Sequence, residues 1–347
     1  MGKFCRATLG LAVLALSMSC VDGRAAEKSS ATGILCLLKP DSVPHPFVDL
    51  AREPCWTNPN IQGVSLRSQW NKVEPSEGKF DWSFFDEGVR LAAQHHKKLG
   101  MLVIAGVATP DWVYADGAYR LNNQRQRRGG DWEASSQPLP WDPVFLAKWT
   151  EFVEAFAARY DGVPNLAYVV MGGPGRREES YFVDSPEDVA KVESLGGVSR
   201  WVQGCERIVD LYAKAFRATP FILATGSPTP GDSGKAALAK LVEYGLGKYS
   251  GRFGLMSCGL RPQYYMTTES ALMMRSASST CPVGFQMLLP SAGGRHMQGG
   301  TLEDALSRGL ALGGHFFEVY PGDCGDPNQA AVLQRIGAKL AGRSGAE

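Results

Sequence analysis

The sequence predicts a single α/β domain folded as one (β/α)8, or TIM, barrel, and three observations predict it. Short apolar runs recur eight times along the 347 residues. Longer segments with apolar residues at three- and four-residue spacing separate them. Nothing between them marks a domain break, and no G-x-G-x-x-G follows the first run, so a closed barrel is favoured over an open dinucleotide-binding sheet.

The eight runs are Gly33–Leu38, Gly63–Trp70, Met101–Ala108, Leu166–Met171, Phe221–Thr225, Phe253–Cys258, Val283–Leu288 and Gly314–Tyr320. Each is short and apolar on both faces, as strands buried between helices must be. Helical periodicity fills Trp82–His96, Pro143–Arg159, Trp201–Phe216, Leu302–Leu312 and Ala330–Ala341. Two connections are long. Asp111–Asp142 follows the third strand and Pro174–Ser199 the fourth. In a barrel both lie on the C-terminal face, where sites are built.

The start, MGKFCRATLGLAVLALSMSC, has the pattern of a signal peptide: Lys3 and Arg6, then an apolar stretch too short to span a bilayer. The expected organisation is a leader and short segment over 1–26 and the barrel over 27–347. An exported protein follows, periplasmic or extracellular. Lipid anchoring at Cys20 is the lesser alternative, because Ser17 stands where such signals usually carry Leu. Residues 27–347 keep six cysteines, an even number that permits disulfides, and Cys36 and Cys258 fit buried thiols. No C-x-x-C or His-Cys cluster suggests a metal, and the adjacent histidines of HHKK (95–98) point to different faces of a helix. The net charge of +1 gives no global support for a nucleic-acid or anionic-membrane partner. No cofactor is expected: GSPTPGDSGKAA (226–237) has the wrong glycine–lysine spacing for a phosphate loop, and only Lys39 stands where Schiff-base chemistry would need a lysine. A G-x-S-x-G for a serine nucleophile is also absent, and His45, His296 and His315 stand apart from one another.

Residues 63–82, GVSLRSQWNKVEPSEGKFDW, and 101–113, MLVIAGVATPDWV, carry a more specific pattern. An Arg and a Trp end the second strand, Glu-Pro follows, a Gly precedes an aromatic-Asp-aromatic element, and the third strand ends in Pro-x-Trp. This resembles the retaining (β/α)8 glycoside hydrolases of the β-galactosidase-like group. The segment WDPVFLAKWTEFVEAFAARYDGVPNLAYVV resembles the helix before their fourth strand. The resemblance implies cleavage of O-glycosidic bonds in an oligo- or polysaccharide by two carboxyl groups, with carbohydrate as the partner.

Carried over residue by residue, Arg67 matches the family's second-strand Arg, an always-charged fork that keeps a neighbouring carboxylate ionised. Trp70 and Trp112 are candidate sugar platforms; Glu74 and Asp81 belong to a structural element. Two departures stand out. The family's acid/base Glu follows an Asn at the end of strand four, where this chain has Gly172 and Gly173. Its nucleophile ends strand seven, where this chain has Gln286. A neutral amide cannot be a carboxylate nucleophile.

Substitutes are available in the sequence. Glu178 or Glu179, in GRREESYF, is a candidate acid, although pairing with Arg176 or Arg177 would lower its pKa. Glu318, in HFFEVYPGD, lies inside an apolar run; alternation puts Phe316, Glu318 and Tyr320 on one face. If that face is inward, Glu318 lies within reach of Arg67, with Tyr320 and Asp323 following at the rim. Gln286 and His296 complete the candidate substrate contacts. The leading expectation is a hydrolase with a displaced carboxylate pair, and the alternative is a catalytically inactive barrel that binds carbohydrate.

Overall fold

The computed structural model describes residues 31–38, 49–126, 132–174, 183–292, 297 and 299–344. Eight parallel strands close into one barrel. In chain order they are β1 (Gly33–Leu38), β2 (Gly63–Gln69), β3 (Lys98–Ile104), β6 (Leu166–Val170), β7 (Phe221–Ala224), β8 (Phe253–Leu260), β9 (Val283–Met287) and β10 (Phe316–Val319). β1 closes the ring by pairing with both β2 and β10. All eight predicted strands are present. The third is shifted: it begins at Lys98 and ends at Ile104, and residues 106–108 form a 3-10 turn because Ala105 leaves the extended region (ψ −107°).

Helices cover the outside. The larger ones are α2 (Ser83–Gln94), α4 (Pro143–Tyr160), α6 (Gly197–Ala215), α7 (Gly231–Lys248), α9 (Leu302–Ala311) and α11 (Ala330–Ser344). Two single-turn helices, α1 (Trp70–Val73) and α10 (Pro321–Gly325), follow β2 and β10. Local chemistry sets where α4 begins: the Asp142 carboxylate accepts from the Val144 and Phe145 amides, both at 2.9 Å, and Pro143 takes the first helical position. Its buried face runs Phe145, Trp149, Phe152, Phe156, Tyr160. The Trp149 and Phe152 rings stack at 5.0 Å, and Phe152 and Phe156 at 6.0 Å. This ladder holds α4 against Trp70, Phe80 and Trp82 of the β2–α2 connection.

Leu35, Leu102, Ile104, Tyr168, Val170, Ile222, Ala224, Met256 and Phe316 fill the barrel interior, as a packed core rather than a pore. Tyr168 and Phe316 stack at 4.5 Å. Glycines on neighbouring strands make room for both rings: a Cβ on Gly100 would lie 2.4 Å from the Tyr168 ring, and one on Gly284 2.0 Å from that of Phe316.

The two long connections contain more structure than their polar composition suggests. After β3 come α3 (Asp111–Ala115) and an antiparallel hairpin, β4 (Arg120–Gln126) and β5 (Trp132–Pro138). After β6 comes α5 (Pro186–Ser194), capped by the Ser185 hydroxyl. Hairpin and helix are tied together: the Gln124 amide donates to Asp188 at 2.7 Å and Lys191 to the Asn122 carbonyl at 3.3 Å. The segment GSPTPGDSGKAA opens α7, and α8 (Glu269–Ala277) follows β8. No helix among the described residues is long and apolar enough to cross a membrane.

Candidate site at the barrel mouth

Inward-facing residues alternate along each strand, so β2 contributes Ser65 and Arg67 and β10 contributes Phe316 and Glu318. Register places Glu318 beside Leu35 on one side and Gln286 on the other. Arg67 Nη2 donates to Glu318 Oε2 and to Gln286 Oε1, both at 2.6 Å. The Ser65 hydroxyl and the Tyr168 phenol each donate to Glu318 Oε1 at 2.7 Å. Burial, and next the Glu318 charge, push the Tyr168 pKa well above its ordinary value, so the phenol keeps its proton and donates. The result is a charge-balanced floor of one cation, one carboxylate and three neutral polar groups.

Access differs along this floor. Glu318 is 0% and Arg67 1% exposed, whereas Gln286 is 6% exposed. Cys258 on β8 is also partly open. Gln286 is therefore the least buried of Arg67, Gln286 and Glu318, and Glu318, paired beside it, is fully buried with both oxygens occupied. Arg67 and Glu318, from strands far apart in the sequence, meet, which is the outcome expected of an inward face for Glu318.

Gly172 and Gly173, where the sequence resemblance leads one to expect Asn-Glu, are closed by geometry as well as by residue type. A Cβ on Gly172 would lie 2.6 Å from the Val103 carbonyl oxygen and 2.8 Å from the Trp149 ring. Gly172 is also fixed at both backbone groups, its amide donating to the Tyr212 phenol oxygen and its carbonyl accepting from the Trp149 indole. Gly173 has φ +110°, and a Cβ there would meet Ile208 Cδ1 at 2.7 Å. No side chain fits either position without a shift of its neighbours.

Other expected site residues separate into two groups. Trp70 is 0% exposed and packs edge-on to Trp112 and Trp149, so it offers no face to a sugar; its indole donates to Glu74 at 2.8 Å. Asp323 is 2% exposed and accepts from the Ser291 amide at 2.9 Å and the Ser291 hydroxyl, bracing the turn after β9 instead of lining a rim. Both depart from the sequence reading for one reason, since strand-end position does not reveal whether a following turn folds over the side chain. Trp112 keeps a partly exposed face, with Lys148 Nζ 5.9 Å from its ring centre, and Tyr320 is partly exposed, its hydroxyl 3.4 Å from the Leu288 carbonyl. Glu178, Glu179 and His296 lie outside the described residues.

Two partners of Glu318 do not stand out in the sequence. Ser65 is signalled only by its two-residue offset from Arg67. Tyr168 carries a weaker signal, a phenol in an otherwise apolar strand. No disulfide joins any two of the six described cysteines. No group of three His, Cys, Asp or Glu side chains among the described residues is arranged to hold a metal ion.

The architecture is a (β/α)8 barrel with a polar, charge-neutral floor beneath its C-terminal mouth. Residues 56–174, which run through β2, β3 and β6, match the family model described as β-galactosidase. Among solved structures, the catalytic domain of β-amylase from Paenibacillus polymyxa superposes with a TM-score of 0.57 at 11% identity, covering 89% of this chain and 98% of that one. The β-galactosidase of the Antarctic haloarchaeon Halorubrum lacusprofundi gives 0.58 at 11% identity, over 89% of this chain and 58% of that one. That of the psychrophilic Marinomonas ef1 gives 0.57 at 10% identity, over 91% and 61%. The chain thus spans less than two thirds of the length of either β-galactosidase. No curated protein sequence matches it. At these identities the structural likeness is one of fold alone, the (β/α)8 barrel that the sequence predicts.

Proposed function

We propose that this protein is an exported, carbohydrate-active barrel that takes a saccharide at its C-terminal mouth without the usual pair of catalytic glutamates. The observation that carries this reading is the closure of Gly172 and Gly173 together with an amide, Gln286, in the place of the nucleophile. The partly open face of Trp112 supplies an apolar surface for a pyranose, and Gln286 supplies a neutral acceptor and donor for its hydroxyls. The match over residues 56–174 supports carbohydrate as the ligand class. Titration calorimetry against a panel of oligosaccharides tests it: binding that weakens in Trp112→Ala is expected, and a chain that binds none of them overturns the reading.

A second reading has one observation in its favour. Glu318 retains a carboxylate beside Gln286, one strand from where the related enzymes place their nucleophile. With Glu178 or Glu179 as acid, it would form the displaced pair that glycoside cleavage requires, at ~5–5.5 Å for retention or ~6.5–9.5 Å for inversion. Release of reducing ends by the intact protein, abolished in Glu318→Gln and in Glu179→Gln or Glu178→Gln, would establish this reading over the first. Binding with no release would exclude it for the saccharides tried.

A further inference from the structure

We propose that the buried face of the β4–β5 hairpin is a saccharide subsite in which the Asn123 carboxamide reads a ring hydroxyl; this rests on the carbohydrate reading above. Along β4, exposed Arg120, Asn122 and Gln124 alternate with buried Leu121 and Asn123. Pairing sets Ser135 opposite Asn123 and Gln137 opposite Leu121. Up to Asn123, the inner face of the hairpin is therefore an apolar residue with two amides and a hydroxyl, Leu121, Asn123, Gln137 and Ser135.

Position and rigidity both suit a subsite. The hairpin emerges from the C-terminal end of β3, the end at which the mouth opens, and β5 packs along the 3-10 turn of Gly106–Ala108. Its outer edge is fastened to α5 through Asp188 and Lys191. The outer face is thus fixed and the inner face is held in place relative to the barrel.

Asn123 itself is the unusual feature. It is 4% exposed, and neither its amide nitrogen nor its carbonyl oxygen has a hydrogen-bond partner among the described residues. Buried polar groups are paired in the great majority of folds, and an unpaired one costs stability that an apolar side chain of similar size would not. A fold that only needed volume here would carry Leu. A carboxamide offers one acceptor and two donors to a neutral ligand, and a sugar hydroxyl is both donor and acceptor. Stability given up at a ligand-facing position is the usual trade for recognition.

The test uses Asn123→Leu and Asn123→Ala in the full chain. The probes are lactose, β-1,4-galactobiose, cellotetraose, maltotetraose and mannotetraose, with thermal unfolding and calorimetric affinity measured on each protein. The expected result is an unfolding temperature in Asn123→Leu equal to or above that of the wild type, together with an affinity about tenfold weaker in both variants, the size of one lost charge-neutral contact pair. If both variants unfold at lower temperature, Asn123 is held by the fold and the proposal is overturned. If affinity is unchanged while Trp112→Ala still loses it, the subsite is wrong and the carbohydrate reading stands. If the wild type binds none of the five, that reading fails and takes the subsite with it.

Discussion

Replacing Glu318 with Leu should destabilise the protein mainly through what it leaves behind. Arg67, 1% exposed, would keep its charge inside the barrel without the carboxylate that balances it. An uncompensated buried charge costs about 3–5 kcal/mol. Arg67→Met should cost about as much, because it strands the Glu318 carboxylate on two neutral donors, Ser65 and Tyr168. The double variant removes both charges and leaves the Ser65 and Tyr168 hydroxyls without their acceptor and the Gln286 carbonyl without its donor, a cost of about 1–3 kcal/mol for each group that finds no new partner. Each single change should lower the unfolding temperature by about 4–8 °C for a chain of this size. Urea unfolding followed by tryptophan fluorescence gives all four corners of the cycle. The double variant is expected to cost clearly less than the sum of the two single changes. Additivity of the two single effects within about 0.5 kcal/mol would refute the charge-balanced floor.

Further tests address the same architecture at other points. Gly172→Ala should cost about 1–3 kcal/mol, since its Cβ meets the Val103 carbonyl and Trp149; a neutral effect in thermal melts would show that the strand end yields. Burial raises the Glu74 pKa above its ordinary value of 4.5, so the folded state holds that proton more tightly than the unfolded chain does. The associated stability is complete below pH 4.5 and is lost as pH rises through the raised folded value. In Glu74→Gln that loss should vanish, and a stability difference between wild type and variant that instead grew in favour of the wild type with rising pH would contradict the sign. Maleimide labelling of the native protein should modify Cys258 well before the other five described cysteines, which are buried, with thiol pKa raised for Cys36 and Cys205 and to about 11 for Cys281. Fast reaction at Cys205 would mean that α6 opens readily.

The strands are legible because a parallel sheet covered on both sides needs short runs that are apolar on both faces, a pattern that surface helices and hairpins do not produce. The Arg67–Glu318 contact is partly legible for a related reason: an Arg and a Glu inside apolar strands of one closed barrel must find opposite charge, but alternation alone does not say which face of the Glu318 strand is inward, since both are largely apolar. Elements outside the barrel are harder to see. The β4–β5 hairpin is built from RLNNQRQ and WEASSQP, whose period-two burial is carried by a polar residue, Asn123, so no hydrophobic alternation announces it. The helix α7 opens with Gly231, Asp232, Ser233 and Gly234, poor helix formers of which only Gly234 is buried, close against Thr229. Trp70 and Trp112 look alike in sequence, and only the fold of the β2–α2 connection buries the first and leaves the second partly open.

The glycine pair after β6 also bears on descent. A one-base change can turn a glycine codon into a glutamate codon, so a barrel with glycine at this position would ordinarily be a single step from a carboxylate there. Here that step is blocked from two directions. At Gly172 one obstacle is the main chain of β3, which no side-chain substitution removes, and at Gly173 both the left-handed backbone and Ile208 would have to change beforehand. The surroundings act as a ratchet: selection for bond cleavage in a descendant would find carboxylates elsewhere on the rim sooner than it could place one at this glycine pair.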